Sequence, residues 1–180
     1  MKSLPVKKIV LTALLSAAAL ISFLIENLFP PLFIPGARLG ISNIFVLFAV
    51  IYLGIPEGFA VITVKILLGS VISGNISAML YSFPSGFLSL SFQVVLLIFT
   101  KRLSVVAISA AGGALNLAIQ NAIFCLIAGN EYFIYLPYLS GIGAVSGAFV
   151  GFTVFLLVKR VPKKFIGTEN ISENLKEKNN

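Results

Sequence analysis

The sequence of 180 residues contains no histidine, no tryptophan and no aspartate, and its only cysteine is Cys125. Without histidine and aspartate, the chain cannot build a histidine-based catalytic triad, a histidine-ligated zinc site or a paired-aspartate magnesium site. A lone cysteine cannot form an intramolecular disulfide. Most enzyme classes are therefore excluded, and we expect a protein that is not an enzyme and uses neither a metal nor a cofactor.

Charged residues are also scarce, and hydrophobic residues take their place. Only 11% of the residues are charged, 58% are hydrophobic, and the mean hydropathy is +1.05. No soluble core of this size needs such a composition. The sequence therefore predicts an integral membrane protein of the all-α class.

Runs of apolar residues bounded by proline, glycine and charge predict six transmembrane helices, where a full span needs about 20 residues. They are Ile9–Ile25, Leu39–Leu53, Phe59–Ile72, Ile76–Phe99, Val105–Ala128 and Tyr132–Val158. The second and third runs are short, so they must be tilted, extended by loops or surrounded by other helices. We expect a membrane domain over residues 1–165 and a polar, disordered tail over 166–180. A cleavable signal peptide ending near Ser16–Ala19 is the alternative for the first run.

Basic residues fall in three groups, which an even number of crossings places on one side of the membrane. The groups are Lys2, Lys7 and Lys8; Lys101 and Arg102; and Lys159, Arg160, Lys163 and Lys164. Because basic loops stay in the cytoplasm, both termini are predicted to be cytoplasmic. The net charge of +7 thus reflects membrane topology, and we expect no nucleic-acid partner.

Small residues form two stripes at helical spacing. Gly143, Gly147 and Gly151 lie four apart in the sixth run, and Ala13 and Ala17 lie four apart in the first. Small residues let membrane helices approach closely, so the glycine stripe is predicted to pack against another helix. The alanine stripe could face a sister helix or a separate protein.

Polar residues inside the apolar runs also line up at steps of four, which places them on one face of each helix. The stripes are Lys65, Gly69 and Ser73; Ser85, Ser89 and Gln93; and Gly112, Asn116 and Gln120, with Asn121 alongside. Buried polar residues in membrane helices face a partner or a cavity. The stripes therefore either fix the bundle by hydrogen bonds or line a binding site.

Two isolated cations are the best candidates for contact with a solute. Lys65 lies mid-span, where an ammonium group must be neutralised by Glu26, by Glu57 or by an anionic ligand. Arg38, whose planar fork suits carboxylate or phosphate, could meet a ligand or pair with Glu26. The proline-rich loop Asn27–Leu39 is predicted to cap the bundle and to place Arg38 at its mouth.

Neutral residues complete the predicted site. Asn43 can add amide donors near Arg38, and Tyr81 could stack on a planar ligand. Ser89, Asn116 and Gln120 would supply hydrogen bonds from their stripes.

Several of these residues fall in runs that resemble the Gx transporter family, also catalogued as heptaprenyl diphosphate synthase component I. The runs are ENLFPPLFIPGARLGISN at 26–43, KILLGS at 65–70 and YSFPSGFLS at 81–89. The resemblance covers about residues 5 to 160 of this chain. The family is in turn similar to the S components of energy-coupling factor (ECF) transporters, which are six-helix proteins of the bacterial plasma membrane that bind vitamins or similar micronutrients.

This resemblance implies uptake of a small anionic or polar-aromatic solute. It also implies that Ala13 and Ala17 dock on a transmembrane coupling subunit that works with two ATPases. The chain has no Gly-x-x-x-x-Gly-Lys-Ser/Thr phosphate loop of its own. Two alternatives remain: a membrane subunit of a prenyl diphosphate synthase, which without aspartate cannot be the catalytic one, and an ATP-independent channel or facilitator.

Overall fold

The computed structural model describes residues 6–28, 40–100 and 103–160. The helices are α1 (Val6–Leu28), α2 (Asn43–Tyr52), α3 (Ile55–Ile72), α4 (Ile76–Phe99), α5 (Val105–Ala128) and α6 (Leu136–Arg160), with a short 3-10 helix at Asn130–Tyr135. The described residues contain no strand. The predicted all-α membrane bundle of six helices is thus confirmed.

Five of the helices are long and apolar enough to cross a membrane, and α2 is the exception. Its 10 residues extend only about 15 Å, half of a hydrocarbon core about 30 Å thick. The predicted second span, Leu39–Leu53, is therefore too long, and its first residue lies outside the described part of the chain. Most α2 side chains are buried, so the other helices surround this short segment.

The remaining predicted bounds agree with the structure apart from a few terminal residues. The fourth and fifth spans were predicted as Ile76–Phe99 and Val105–Ala128, the bounds of α4 and α5. The sixth candidate span runs over Glu131–Arg160, close to the predicted Tyr132–Val158, and its first residues form the 3-10 helix that precedes α6. Pro137 is the second residue of α6, a position where the missing backbone N–H of proline costs nothing.

Contacts between helix ends define the two ends of the bundle. At the basic end, where α1 begins and α6 ends, Lys8 forms an ion pair with Glu57 at 2.7 Å. At the same end, the Tyr52 hydroxyl donates a 3.0 Å hydrogen bond to the carbonyl of Val158. The opposite end, where α1 ends and α2 begins, is called the loop end. The prediction that the basic groups before the first span and after the sixth lie on the same side is consistent with these contacts.

Glycines bring α5 and α6 into backbone contact. A methyl group added at Gly143 would overlap the carbonyl oxygen of Gly113, and one added at Gly151 would lie 2.8 Å from Cα of Val106. Gly147 lies in the same way against the backbone of Ser109. The prediction that the glycine stripe packs against another helix is confirmed.

Helix α1 packs into the bundle through Ser16, Ala19 and Phe23, which are buried. Ala13 and Ala17 lie on the exposed face of α1, away from the residues that pack into the described part of the bundle. The predicted tail over residues 166–180 lies outside the described residues.

Candidate functional site

A polar cavity lies among the helices, and all six α-helices line it. The volume of the cavity is about 100 Å³, which is room for several water molecules or for a small solute. Its polar lining residues are Glu26, Ser42, Asn43, Lys65, Ser82, Ser85, Ser89, Gln93, Ser109, Asn116, Gln120 and Ser146. A cavity this polar inside an apolar bundle is the candidate functional site.

Lys65 is the cation of this cavity. Its side chain is 5% exposed, and its ammonium group donates hydrogen bonds to Oδ1 of Asn43 at 2.5 Å and to Oγ of Ser42 at 3.5 Å. Both acceptors belong to the start of α2, so the break before this short helix brings polar atoms to the middle of α3. Asn43, which was predicted to lie near Arg38, thus contacts Lys65 directly.

The structure separates the two carboxylates that were considered as partners of Lys65. Oε1 of Glu57 binds Lys8 at the basic end, and Oε2 is buried with no partner among the described residues. Of the three alternatives for Lys65, which were Glu26, Glu57 and an anionic ligand, the pairing with Glu57 is therefore wrong. Glu26 lines the cavity together with Lys65, and its Oε1 accepts the backbone N–H of Ser42 at 2.8 Å. The hydrogen bond from the Ser42 N–H to Glu26 near the loop end thus fixes the entry into α2.

Arg38 and most of the proline-rich loop Asn27–Leu39 lie outside the described residues, so their predicted roles stay predictions. The chain resumes at Gly40, which adopts a φ of +66° that glycine tolerates better than other residues. The carbonyl of Gly40 then accepts the N–H of Asn43 at 2.9 Å. This turn orients the start of α2 towards the cavity.

The polar stripe of α4 faces the cavity. Ser85, Ser89 and Gln93 all line it, as their spacing of four residues predicts. The hydroxyls of Ser85 and Ser89 donate to the carbonyls of Ser82 and Gly86 in their own helix. Their oxygens can still accept a hydrogen bond from the cavity side.

The polar stripe of α5 faces the same space. Gly112, Asn116 and Gln120 line the cavity, and Nε2 of Gln120 donates to Oγ of Ser82 at 3.2 Å. Asn121 points elsewhere, because its Nδ2 donates to the carbonyl of Tyr132 at 3.3 Å. Hydrogen bonds that fix the bundle and side chains that line a cavity therefore occur on the same helix.

Oδ1 of Asn116 is the one atom in this lining that is both buried and without a hydrogen-bond partner among the described residues. Gln93, from α4, lines the cavity as well, and its side chain packs against Gly112 of α5. An added methyl group at Gly112 would overlap the Gln93 amide. Glycine at position 112 therefore allows two amide side chains to occupy one wall.

The stripe predicted on α3 divides into three environments. Lys65 lines the cavity, whereas Gly69 packs against the ring of Phe23, where an added methyl group would lie 2.5 Å from ring carbons. Ser73 is exposed at the end of α3. The prediction of one continuous polar face on α3 is therefore wrong beyond Lys65.

Tyr81 does not line the cavity. Its ring meets the ring of Phe124 edge to face at 5.9 Å, and Phe124 in turn meets Tyr132 at 5.1 Å. These rings form an aromatic cluster near the loop end, between α4, α5 and the 3-10 helix. Stacking of Tyr81 on a planar ligand stays a prediction, while its neighbour Ser82 lies in the cavity wall.

Several lining residues were not among the predicted site residues. Gln93 and Ser85 share the stripe of Ser89, so their spacing was a sufficient signal. Ser109 and Ser146 come from the α5–α6 interface, where their polarity among glycines and alanines was the available signal. Glu26 was considered only as a partner for a cation.

The lining combines one cation, Lys65, and one carboxylate, Glu26, with neutral amides and hydroxyls, which suits binding of a polar solute better than covalent chemistry. The described residues include no group of three or more His, Cys, Asp or Glu side chains that could hold a metal ion. Lys65 can donate to an anionic group, and the amides of Gln93, Asn116 and Gln120 can both donate and accept.

Comparison with known proteins gives one assignment. No curated protein and no solved structure matches the chain. The sequence model of one family, described as heptaprenyl diphosphate synthase component I, matches residues 15–157. This match covers most of the chain, from α1 to the last turn of α6, and includes every lining residue of the cavity. The chain therefore belongs to the heptaprenyl diphosphate synthase component I family.

Proposed function

We propose that this protein is the substrate-binding subunit of an ECF-type uptake transporter and that it takes up a small anionic or polar-aromatic micronutrient. The cavity around Lys65 is the observation that carries the proposal. Ionisable residues inside a membrane bundle mark functional sites, and the Lys65 side chain is 5% exposed. The cavity beside this ammonium group supplies the space for a solute.

The site residues have distinct roles in this proposal. Lys65, with Arg38 from the loop, neutralises the solute, and Asn43 holds the ammonium group in place. Ser89, Asn116 and Gln120 form hydrogen bonds with the neutral part of the solute, and Tyr81 stacks near the loop end. The loop Asn27–Leu39 closes over the bound solute before release on the other side.

Transport against a gradient requires energy from partners, since the sequence contains no phosphate loop. We propose a transmembrane coupling subunit with two ATPases, docked on the exposed face of α1 at Ala13 and Ala17. Close approach at small residues favours such docking within the lipid. The protein would then be a non-enzymatic component of a bacterial plasma membrane, with both termini in the cytoplasm. Lys7, Lys8, Lys159 and Arg160, all at the basic end, support this orientation.

Native mass spectrometry of the detergent-purified protein tests the proposal. The protein is expressed in rich medium, and one spectrum reports both bound small molecules and associated subunits. We expect a bound organic solute that leaves on collisional activation, together with a coupling subunit and ATPases. A protein that never carries a solute, under any growth condition, would refute a solute-binding function.

The family description favours a second candidate, a non-catalytic membrane subunit of a prenyl diphosphate synthase. Synthases of this kind bind magnesium diphosphate through aspartate-rich motifs, and this chain has no aspartate. The subunit would therefore tether or regulate a soluble synthase. Repeated co-purification of an empty protein with a prenyl synthase would favour this candidate over the transporter, and an isolated protein with solute but without ATPases would favour a facilitator.

A further inference from the structure

Glu26 is the carboxylate of the cavity, and the structure engages one of its two oxygens. Oε1 accepts the N–H of Ser42 at 2.8 Å. Unlike Oε2 of Glu57, the oxygens of Glu26 are not among the buried atoms of the described chain that lack a partner. Glu26 is half-buried and lines the cavity. Its Oε2 therefore faces open space and can still accept a hydrogen bond.

The position of Glu26 brings it close to the cation of the cavity. The ammonium group of Lys65 donates to Asn43 and to the side chain of Ser42, and the backbone N–H of Ser42 donates to Glu26. Both charges of the described lining thus meet at the start of α2. Lys65 keeps these partners, and the argument that follows concerns Glu26 alone.

The wall that α4, α5 and α6 contribute is neutral. Within the described chain, its residues are serines, amides, glycines and aliphatic residues, without a charged side chain. Glu26 is therefore the group in the described lining that discriminates most strongly against negative charge. A solute that is anionic on the side of Glu26 would meet like charge in a bundle of low dielectric constant, where repulsion is stronger than in water.

A carboxylate accepts hydrogen bonds and donates none. An N–H group of the solute would form a charge-assisted hydrogen bond with Glu26, which is stronger than a bond between neutral groups. We infer that the solute presents an N–H donor of the amide or amino type to Glu26, which makes Glu26 a specificity-determining residue.

This inference rests on the proposed solute-binding function and narrows its substrate class. Inorganic phosphate, prenyl diphosphates and simple carboxylates have no N–H donor, so none of them fits the side of Glu26. An aromatic solute with an amide or amino substituent fits it.

Three matched probes test the inference by their effect on the thermal unfolding of the detergent-purified protein. Benzamide and benzoate have the same shape, but the N–H donors of the first are replaced by a charged oxygen in the second. N,N-dimethylbenzamide is neutral and has no donor. We expect benzamide to bind at least about 10-fold more tightly than either, the lower end of what a hydrogen bond to a charged group contributes. Equal or tighter binding of benzoate or N,N-dimethylbenzamide, or no binding of benzamide, would overturn the inference.

Two variants separate recognition from structure. In Glu26→Gln the amide oxygen can still accept the N–H of Ser42, while the amide nitrogen turns the acceptor on the cavity side into a donor. We expect a melting temperature near that of the wild type and binding of benzoate at least as tight as that of benzamide. If Glu26→Gln keeps the wild-type preference for benzamide, Glu26 only holds the start of α2, and the inference is wrong.

Glu57→Gln is the matched control, since it makes the same chemical change at the basic end, outside the cavity. We expect it to keep the preference for benzamide. A loss of preference as large as that in Glu26→Gln would show that overall charge, and not contact with Glu26, selects the solute.

Native mass spectrometry distinguishes failure of this inference from failure of the proposed function. If the wild-type protein carries a solute without an N–H donor, the binding function stands and the inference fails. If it carries no solute and binds none of the three probes, both fail.

Discussion

The two sides of the cavity are held together in different ways. On the side of α4, α5 and α6, the closest contacts join backbone to backbone through Gly113, Gly143 and Gly147. On the side of α1, α2 and α3, charged side chains connect the helices, with Lys8 on Glu57 and Glu26 on the N–H of Ser42. The glycine side has few ways to rearrange, because any shift separates closely packed backbones. The charged side also has an apolar core between α2 and α3, but its ion pair and the Glu26 hydrogen bond use long side chains that can exchange partners.

This difference suggests a division of labour. The neutral wall, with Gln93 and Asn116, is carried by the glycine side and would keep its shape. Lys65 belongs to the charged side, whose start of α2 follows the loop Asn27–Leu39. We therefore expect solute binding and release to involve mainly α1–α3, while α5 and α6 move as one unit.

Replacement of Gly143 by alanine should have the largest effect on stability. The added methyl group would overlap the carbonyl of Gly113, and overpacking of this kind costs about 3 kcal/mol at the upper end of its usual range. We expect a clearly lower melting temperature than that of the wild type. Fluorescence-detected size-exclusion chromatography in detergent measures it.

Gly141→Ala is the matched control for this replacement, in the same helix. Nothing lies within 4 Å of an added methyl group at Gly141, so alanine should stabilise α6 by about 0.5–1 kcal/mol through helix propensity. If Gly143→Ala and Gly141→Ala have the same melting temperature, backbone contact between α5 and α6 does not stabilise the glycine side.

The comparison between the two sides was only partly readable in the sequence. The spacing of Gly143, Gly147 and Gly151 predicted close packing, and the stripes of α4 and α5 predicted either hydrogen bonds that fix the bundle or a cavity wall. Both features are local periodicities on regular helices, which translate directly into shared faces. The bounds of α4 and α5 followed for the same reason.

Features that depend on contacts between distant segments were not predictable in this way. The α3 stripe failed because Phe23 of α1 covers Gly69, and no pattern within α3 contains that information. Glu57 was a possible partner of Lys65 until the structure placed it against Lys8. The short α2 was predicted with extra residues because hydropathy alone cannot tell a buried segment from a span.

Loss of the Lys65 charge should have the second-largest effect among these variants, and this effect should be on solute binding. In Lys65→Met the site loses a charge-assisted donor, and we expect about 30-fold weaker solute binding, equivalent to about 2 kcal/mol. The amount of co-purified solute per protein molecule measures this change. The melting temperature should stay near that of the wild type, because Asn43 and Ser42 can bond to water in the cavity.

Lys8→Met provides the control for Lys65→Met, since it makes the same chemical change outside the cavity. Its binding should match the wild type. Weak binding in both variants would show that overall charge, and not the contact at Lys65, governs affinity. A Lys65→Met protein that is unfolded would instead make Lys65 a structural residue of the charged side.

Loss of the ion pair between Lys8 and Glu57 should lower the stability least. Replacement of Lys8 and replacement of Glu57 should also lower it by different amounts. Glu57 is more buried than Lys8, with side-chain exposures of 9% and 19%. Lys8→Met leaves a buried carboxylate without its cation and should cost about 1 kcal/mol, whereas Glu57→Gln should cost less, because Lys8 can reach water. The double variant Lys8→Met/Glu57→Gln should therefore melt above Lys8→Met alone. If the loss of stability in the double variant equals the sum of the two single losses, the pair does not connect α1 to α3. The contrast with the glycine side would then rest on Glu26 and Ser42.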